Sequence, residues 1–308
     1  MSTARWSLIA ALATMVAWGI NFSFVKHVLD HVGVGAFLFI RFTSLPLLGL
    51  LLLVIVFRGR LAHSLPKRED WGRFVACALV GHTMHIAAVA YGMNLSTAFS
   101  SSLVLMSGPL FSLVILAGVG AERLRARQIV GTLVALGGIA LFLSDKFAGG
   151  FVRAGTGDLL LLVAALCFSL YTVLGQPIVK RYGPLIVLSY TLLLSAPPVL
   201  LVTLGFFLDA DLKTQPATVW FGMFWALVVS SFCGWLMWTW VNAVRGVART
   251  APFNYLMPPI AGLVAWLTLG ETFTWLKIAG AAVTMAGVAW AQFGSGTPPA
   301  ASAQPDTA

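Results

Sequence analysis

Ten long apolar runs, bounded by charged residues, Pro or Gly, constrain this chain more than any other feature. They cover approximately 6–26, 33–57, 71–91, 98–119, 127–144, 158–178, 184–208, 217–241, 250–269 and 275–293. About 20 apolar residues in a helix cross the roughly 30 Å hydrocarbon core, and the runs have that length. The short connections leave no room for a soluble domain. Composition agrees: 59% of the 308 residues are hydrophobic and only 9% charged, against about 25% charged in soluble domains. The fold class expected is an all-α integral membrane protein of ten transmembrane helices. The first run exceeds the usual 7–15 apolar residues of a signal peptide, so it reads as a span. The segment 294–308, small, polar and Pro-rich, reads as a disordered cytoplasmic tail.

Ten spans place both termini on one side of the membrane, and the basic residues then choose the side. Thirteen Lys or Arg fall with the termini: Arg5, Arg58, Arg60, Lys67, Arg68, Arg73, Arg123, Arg125, Arg127, Lys180, Arg181, Arg245 and Arg249. Opposite stand Lys26, Lys146, Arg153, Lys213 and Lys277, with Arg41 inside a span. By the positive-inside rule the termini are cytoplasmic, in the inner (plasma) membrane. The net charge of +9 is thereby explained without a nucleic-acid partner. Cys77, Cys167 and Cys233 lie far apart in apolar stretches, which suits neither a disulfide scaffold nor a zinc site. No cofactor, no metal and no enzymatic activity is expected. No nucleotide-binding P-loop is present, so no ATP-driven engine is built in.

The chain also repeats itself. A constant shift of 149 places Trp71 on Trp220, Pro109 on Pro258, Glu122 on Glu271, Ile129 on Ile278, Gly131 on Gly280, Val134 on Val283 and Gly138 on Gly287. A nearly equal shift sets WGINF (18–22) against FSLYT (168–172). The organisation read from this is a first five-helix repeat over 1–148 and a second over 149–293. Each unit has an odd number of spans, so the second enters the membrane inverted, an architecture of secondary transporters that bind substrate between the repeats.

The WGINF start, the IRF of Ile40 to Phe42, the AERLR run after the fourth span, and NYLMPPIAGLVAWLTLGETFTWLKIAGAAVTMAGV across the last two spans carry a family resemblance. With the paired P-x12-E-x8-G-x6-G pattern, the chain resembles the EamA-type family of the drug/metabolite transporter superfamily over nearly its whole length. The resemblance implies a ten-helix exporter of amino acids or related small metabolites, and it leaves the substrate open.

All ten acids lie in loops, at span ends or in the tail, so no carboxylate relay crosses the membrane. His82 and His85, three residues apart on one helix face, sit near the midplane, His82 about 16 Å into its span. They read either as cavity-lining polar groups or as a neutral, internally satisfied pair. The repeat mate of His82, Ser231, is also polar and shares the first reading. Arg41, about 12 Å inside its span, reads as a partner for a substrate carboxylate or as a structural cap on neighbouring carbonyls. Lys26 reads as an interfacial anchor.

Trp18, Tyr171, Trp235 and Trp238 sit deep enough to wall a cavity suited to an apolar or aromatic side chain, or to a cation. Trp6, Trp71, Trp220, Trp240, Trp275 and Trp290 fit interfacial belts instead. Asn21, Asn254 and Tyr255 are further polar candidates, with inter-helix hydrogen bonding as the plainer alternative. Pro258 and Pro259, with Pro109 as counterpart, mark helix breaks that could act as hinges. Gly131, Gly138, Gly280 and Gly287 form small-residue faces for close helix packing, which also permit a homodimer. Glu122 and Glu271 read as caps of the next helix or partners of loop cations. His27 and His31 beside Asp30 could hold a metal at a rim, although an ordinary polar loop explains them as well.

The resulting expectation is an exporter of apolar or aromatic amino acids, or related metabolites, working by alternating access within the lipid bilayer. A multidrug or quaternary-ammonium exporter is the alternative, and a non-transporting receptor or assembly subunit a remote one.

Overall fold

The computed structural model describes residues 3–58, 60, 64–118, 126–147, 151–246 and 250–293. Glu122, Arg123, Arg125, Arg249 and the tail expected at 294–308 lie outside the described residues. Apolar runs become helices because backbone polar groups in lipid must be satisfied within the segment. In chain order these are α1 (Thr3–Val32), α2 (Val34–Phe57), α3 (Arg68–Leu95), α4 (Ala98–Gly118), α5 (Ala126–Phe147), α6 (Phe151–Tyr182), α7 (Pro184–Leu208), α8 (Ala217–Arg245), α9 (Met257–Leu269) and α10 (Trp275–Phe293). No strand occurs among the described residues.

Seven of these helices are long and apolar enough to cross a membrane: α1 to α4 and α6 to α8. In the other three the apolar stretches are shorter, Ile129–Phe142, Phe253–Leu269 and Trp275–Trp290. Large side chains turned outward are lipid-compatible, among them Leu201, Val202, Leu208 and Leu267. Of the tryptophans expected at interfaces, Trp6, Trp220, Trp275 and Trp290 are exposed, while Trp71 and Trp240 are at least half-buried.

Single glycines join two of the hairpins. Gly33 between α1 and α2 has φ 76° and ψ 161°, and Gly183 between α6 and α7 has φ 81° and ψ 163°. An L side chain rarely adopts that backbone, so glycine permits the reversal in one residue. The paired hairpins meet through α2 and α7, with Ser189 of α7 lying against Gly49 of α2.

The α5–α10 contact is the most extensive helix–helix seam among the described residues. A Cβ added to Gly280 would stand 2.6 Å from the Phe142 Cα, and one on Gly287 would stand 2.8 Å from the Gly131 carbonyl oxygen. Gly138 lies equally close to the backbone of Thr284. Small residues let backbones approach and gain dispersion where lipid gives no hydrophobic drive.

Glu271, in the α9–α10 turn, caps a helix other than the one that follows it. Its Oε1 accepts from the Ala98 amide at 2.7 Å and its Oε2 from the Phe99 amide at 3.3 Å, which closes the N-terminus of α4. The free N–H groups and the helix dipole both favour a carboxylate there. Lys26 is more than an anchor, since its ammonium donates to the Asn94 carbonyl and pairs with Asp30, each at 3.2 Å.

Candidate functional site

Two helices are underwound partway along their length. α3 widens into a π-helix over Ala78–Met84, and α8 does so over Trp225–Cys233. The 149-residue shift carries 78–84 onto 227–233, so the two irregularities coincide in the repeat frame. π segments displace the helix register, leave carbonyls poorly paired and often occur at functional sites. Two side chains use the carbonyls of the second one. Ser231 Oγ donates to the Ala226 carbonyl at 2.5 Å, and Trp18 Nε1 donates to the Ser230 carbonyl at 2.8 Å. Trp18 reaches that carbonyl because Gly234 has no side chain: a Cβ there would lie 2.6 Å from the indole nitrogen.

The second segment borders, through Ser230 and Ser231, a central cavity of about 1130 Å³, counted with the open space at its mouth, and His85, just past the first segment, lines it too. Its aromatic wall is built by Trp18, Phe168, Trp235 and Trp238. Trp18 lies 6.3 Å from Phe168, edge to face, and 5.6 Å from Trp238, while Phe168 lies 5.5 Å from Trp235. A second hollow of about 800 Å³ shares Thr172, Trp238 and Asn242 with the first and extends to Gln176 and Lys180. The two adjoin at these residues, and the second lies toward the C-terminal ends of α6 and α8.

Arg41 lines the cavity and is 7% exposed. Its Nη1 donates to Ser231 Oγ. No carboxylate oxygen lies within ion-pair distance of it among the described residues. The acids are held elsewhere: Asp30 by Lys26, Glu69 and Asp70 by Arg181, Asp158 by Ser96, Glu271 by the α4 amides. A buried guanidinium is costly unless charge-paired, so this arrangement suits an anion that arrives from outside.

The two histidines play different parts. His85 lines the cavity, and its Nδ1 donates to the Ala164 carbonyl at 2.8 Å. A carbonyl only accepts, so Nδ1 carries the proton and Nε2 is left as an acceptor. His82, 1% exposed, stands behind the wall, its ring 4.7 Å from Trp235 and 5.4 Å from Tyr171. Its Nε2 contacts Thr191 Oγ1 at 3.1 Å, whose hydroxyl proton goes to the Val187 carbonyl at 2.7 Å. His82 Nε2 therefore donates, and its Nδ1 has no partner.

Of the residues singled out in the sequence, the structure brings Trp18, Asn21, Arg41, His85, Pro109, Ser231, Trp235, Trp238 and Asn254 to the central cavity. His82 is not brought to its wall, because Trp235 of a distant helix interposes. Tyr171 borders the second hollow. Tyr255 turns away to donate to the Val288 carbonyl at 3.0 Å, against α10. Pro109 and Pro258 each stand in the first turn of a helix, where α4 restarts at Gly108 after a break at Met106–Ser107 and α9 starts after the 3-10 turn Ala251–Leu256. Proline lacks an amide that such a turn would leave unpaired anyway. Pro258 is buried and Pro259 exposed. Phe168, Thr172, Ser230 and Asn242 also line the cavity, beyond the residues that sequence reasoning marked. Phe168 did carry a signal, since it stands against Trp18 when WGINF is set on FSLYT.

Comparison with known proteins bears on this geometry. Residues 5–144 and 155–292 each match the EamA-like transporter family. A relative from Streptantibioticus cattleyicolor, named "Probable terminal-alkyne amino-acid exporter", is 28% identical over 94% of this chain and 93% of its own. Another from Salmonella typhimurium, named "Probable amino-acid metabolite efflux pump", is 27% identical over 90% of this chain and 92% of its own. A solved crystal structure superposes with a TM-score of 0.66 at 17% identity, covering 94% of this chain and 98% of that one, which shows a shared fold.

Proposed function

Because the chain belongs to the EamA-like transporter family and is thus a multi-pass membrane transporter of small metabolites, we propose that it exports amino acids with apolar or aromatic side chains. The observation that carries this reading is Arg41, a buried cation in an aromatic-walled cavity with no carboxylate partner among the described residues. A substrate carboxylate completes the pair, with charge-assisted hydrogen bonds from the guanidinium. Trp18, Phe168, Trp235 and Trp238 offer the side chain an apolar surface. The names of the two relatives, an amino-acid exporter and an amino-acid metabolite efflux pump, support the substrate class.

Transport proceeds by alternating access between two inverted five-helix repeats, 1–148 and 149–293, that rock about the cavity. Three observations support the repeat: both halves match the same family, the two π segments correspond, and Gly33 and Gly183 make like turns. In this reading all ten helices cross the inner membrane, both termini are cytoplasmic, and the hollow beside Lys180 is the cytoplasmic approach. His82, behind Trp235, positions that ring, and the breaks at Pro109 and Pro258–Pro259 serve as hinges.

The test is counterflow of labelled phenylalanine, leucine and threonine in proteoliposomes, with ethidium in parallel. Amino-acid exchange that disappears in Arg41→Met supports the reading. The aromatic wall alone favours a second reading, export of organic cations, and ethidium flux without amino-acid exchange would establish it instead.

A further inference from the structure

The aromatic wall and Arg41 account for two ends of a substrate; the cavity's remaining polar atoms describe a third. An ammonium has three donors and no acceptor. Sites that bind it need available acceptors, and two residues that line the cavity offer one each. Asn21 Oδ1 is buried with no partner. His85 Nε2 is an acceptor because the Ala164 carbonyl holds the proton on Nδ1. The Asn21 oxygen is buried without a partner, and such an acceptor is expensive to keep unless something fills it; the His85 ring lines the same cavity.

The spacing suits a compact zwitterion. Arg41 is bonded to Ser231, and Trp235, one helical turn further along α8, lies 5.8 Å from the His85 ring. Residues four apart on a helix are neighbours on one face, so Arg41 and His85 both meet the same face of α8, and both line the cavity. Asn21 follows Trp18 by three residues on α1 and so shares its face. His85 is also 5.2 Å from Phe168, which places the acceptor beside the apolar surface rather than apart from it.

We infer that His85 Nε2 and Asn21 Oδ1 form an ammonium subsite, which makes the transported species a zwitterionic α-amino acid with a free amino group rather than a carboxylate or an amine. This rests on the exporter reading above. The selection is made by neutral acceptors, so it needs no buried acid. The Ala164 carbonyl is part of the device: by fixing the tautomer it turns His85 into an acceptor toward the cavity. Organic cations without a carboxylate satisfy this subsite and leave Arg41 unpaired, while carboxylates without an amino group do the reverse.

The experiment compares three probes of one shape, phenylalanine, 3-phenylpropanoate and 2-phenylethylamine, as ligands of the purified protein by quenching of tryptophan fluorescence. In the parent protein phenylalanine should bind about tenfold or more tighter than either fragment, from loss of one charge-assisted contact. His85→Leu should weaken phenylalanine about tenfold and leave 3-phenylpropanoate within about twofold. His85→Gln, which restores a carbonyl acceptor, should recover most of the difference. Equal weakening of both probes by His85→Leu, or equal binding of phenylalanine and 3-phenylpropanoate by the parent, overturns the subsite and leaves the exporter reading standing. Should His85→Leu fail to fold, Asn21→Leu takes its place: selective weakening of phenylalanine supports the subsite, and equal weakening of both probes overturns it. Binding of 2-phenylethylamine alone, or of none of the three, overturns both the subsite and the amino-acid reading.

Discussion

The α5–α10 seam and the central cavity solve opposite problems with opposite residues. In the seam, side chains have been removed until backbones touch: Gly138, Gly280 and Gly287 meet Thr284, Phe142 and Ala135. Around the cavity, large rings and polar groups are kept although some are left without partners, including Asn21 Oδ1 and Trp238 Nε1. The seam gains dispersion from contact at both ends and holds α5 to α10 rigidly. The cavity forgoes stability that a filled, fully bonded interior would provide, as working sites commonly do. The difference separates the part that holds the molecule together from the part proposed to take cargo.

Substitution should expose the difference. The largest effect is expected at the seam: Gly280→Leu puts a branched chain where even a Cβ lies 2.6 Å from the Phe142 backbone. Helix backbone yields less readily than a side chain, so monodisperse protein should vanish from fluorescence size-exclusion profiles. Arg41→Met should do the reverse, lowering phenylalanine counterflow about a hundredfold through lost charge-assisted bonds. The same change should leave the melting temperature unaltered or raised, because it removes a buried charge with no counter-ion. Loss of monodisperse protein in Arg41→Met as complete as in Gly280→Leu would erase the distinction. Gly234→Ala tests the wall at intermediate strength. The new methyl displaces Trp18 from the Ser230 carbonyl, and counterflow should drop about tenfold with loss of that indole contact. The smallest effect belongs to Glu271→Gln, which weakens the cap of α4 by about 1 kcal/mol. That should read as a few degrees in a thermal melt with substrate preference unchanged.

The seam was legible in the sequence and the cavity only partly so, for a physical reason. Close helix packing is written in small residues at helical spacing, and Gly131, Gly138, Gly280 and Gly287 repeat at the same offset. The spans are written in hydropathy, which lipid enforces on every segment alike. A cavity wall is set by which side chain of a distant helix arrives first. His82 and His85 share a face at three-residue spacing, yet Trp235 stands against His82 and leaves only His85 among the residues lining the central cavity. The π segments at Ala78–Met84 and Trp225–Cys233 were also unreadable, since neither contains proline or any other residue that forces an extra backbone unit into a turn. Glu271 showed that it would cap something, but the target lies across the chain at Ala98 rather than at the next helix.

The one-glycine turns at Gly33 and Gly183 have a mechanical consequence. With φ near 80° and no intervening loop, α1 and α2 are joined as tightly as the arms of a bent rod, and so are α6 and α7. Such a joint has no slack for one arm to slide past the other. In the alternating access proposed above, a swing that opens one face of the cavity would carry each hairpin whole, and the longer connections, such as that from Asp209 to Pro216, would absorb the travel. A Cβ at Gly33 or Gly183 would touch nothing. Its penalty would be one of angle alone, felt at the far ends of arms of 24 and 25 residues.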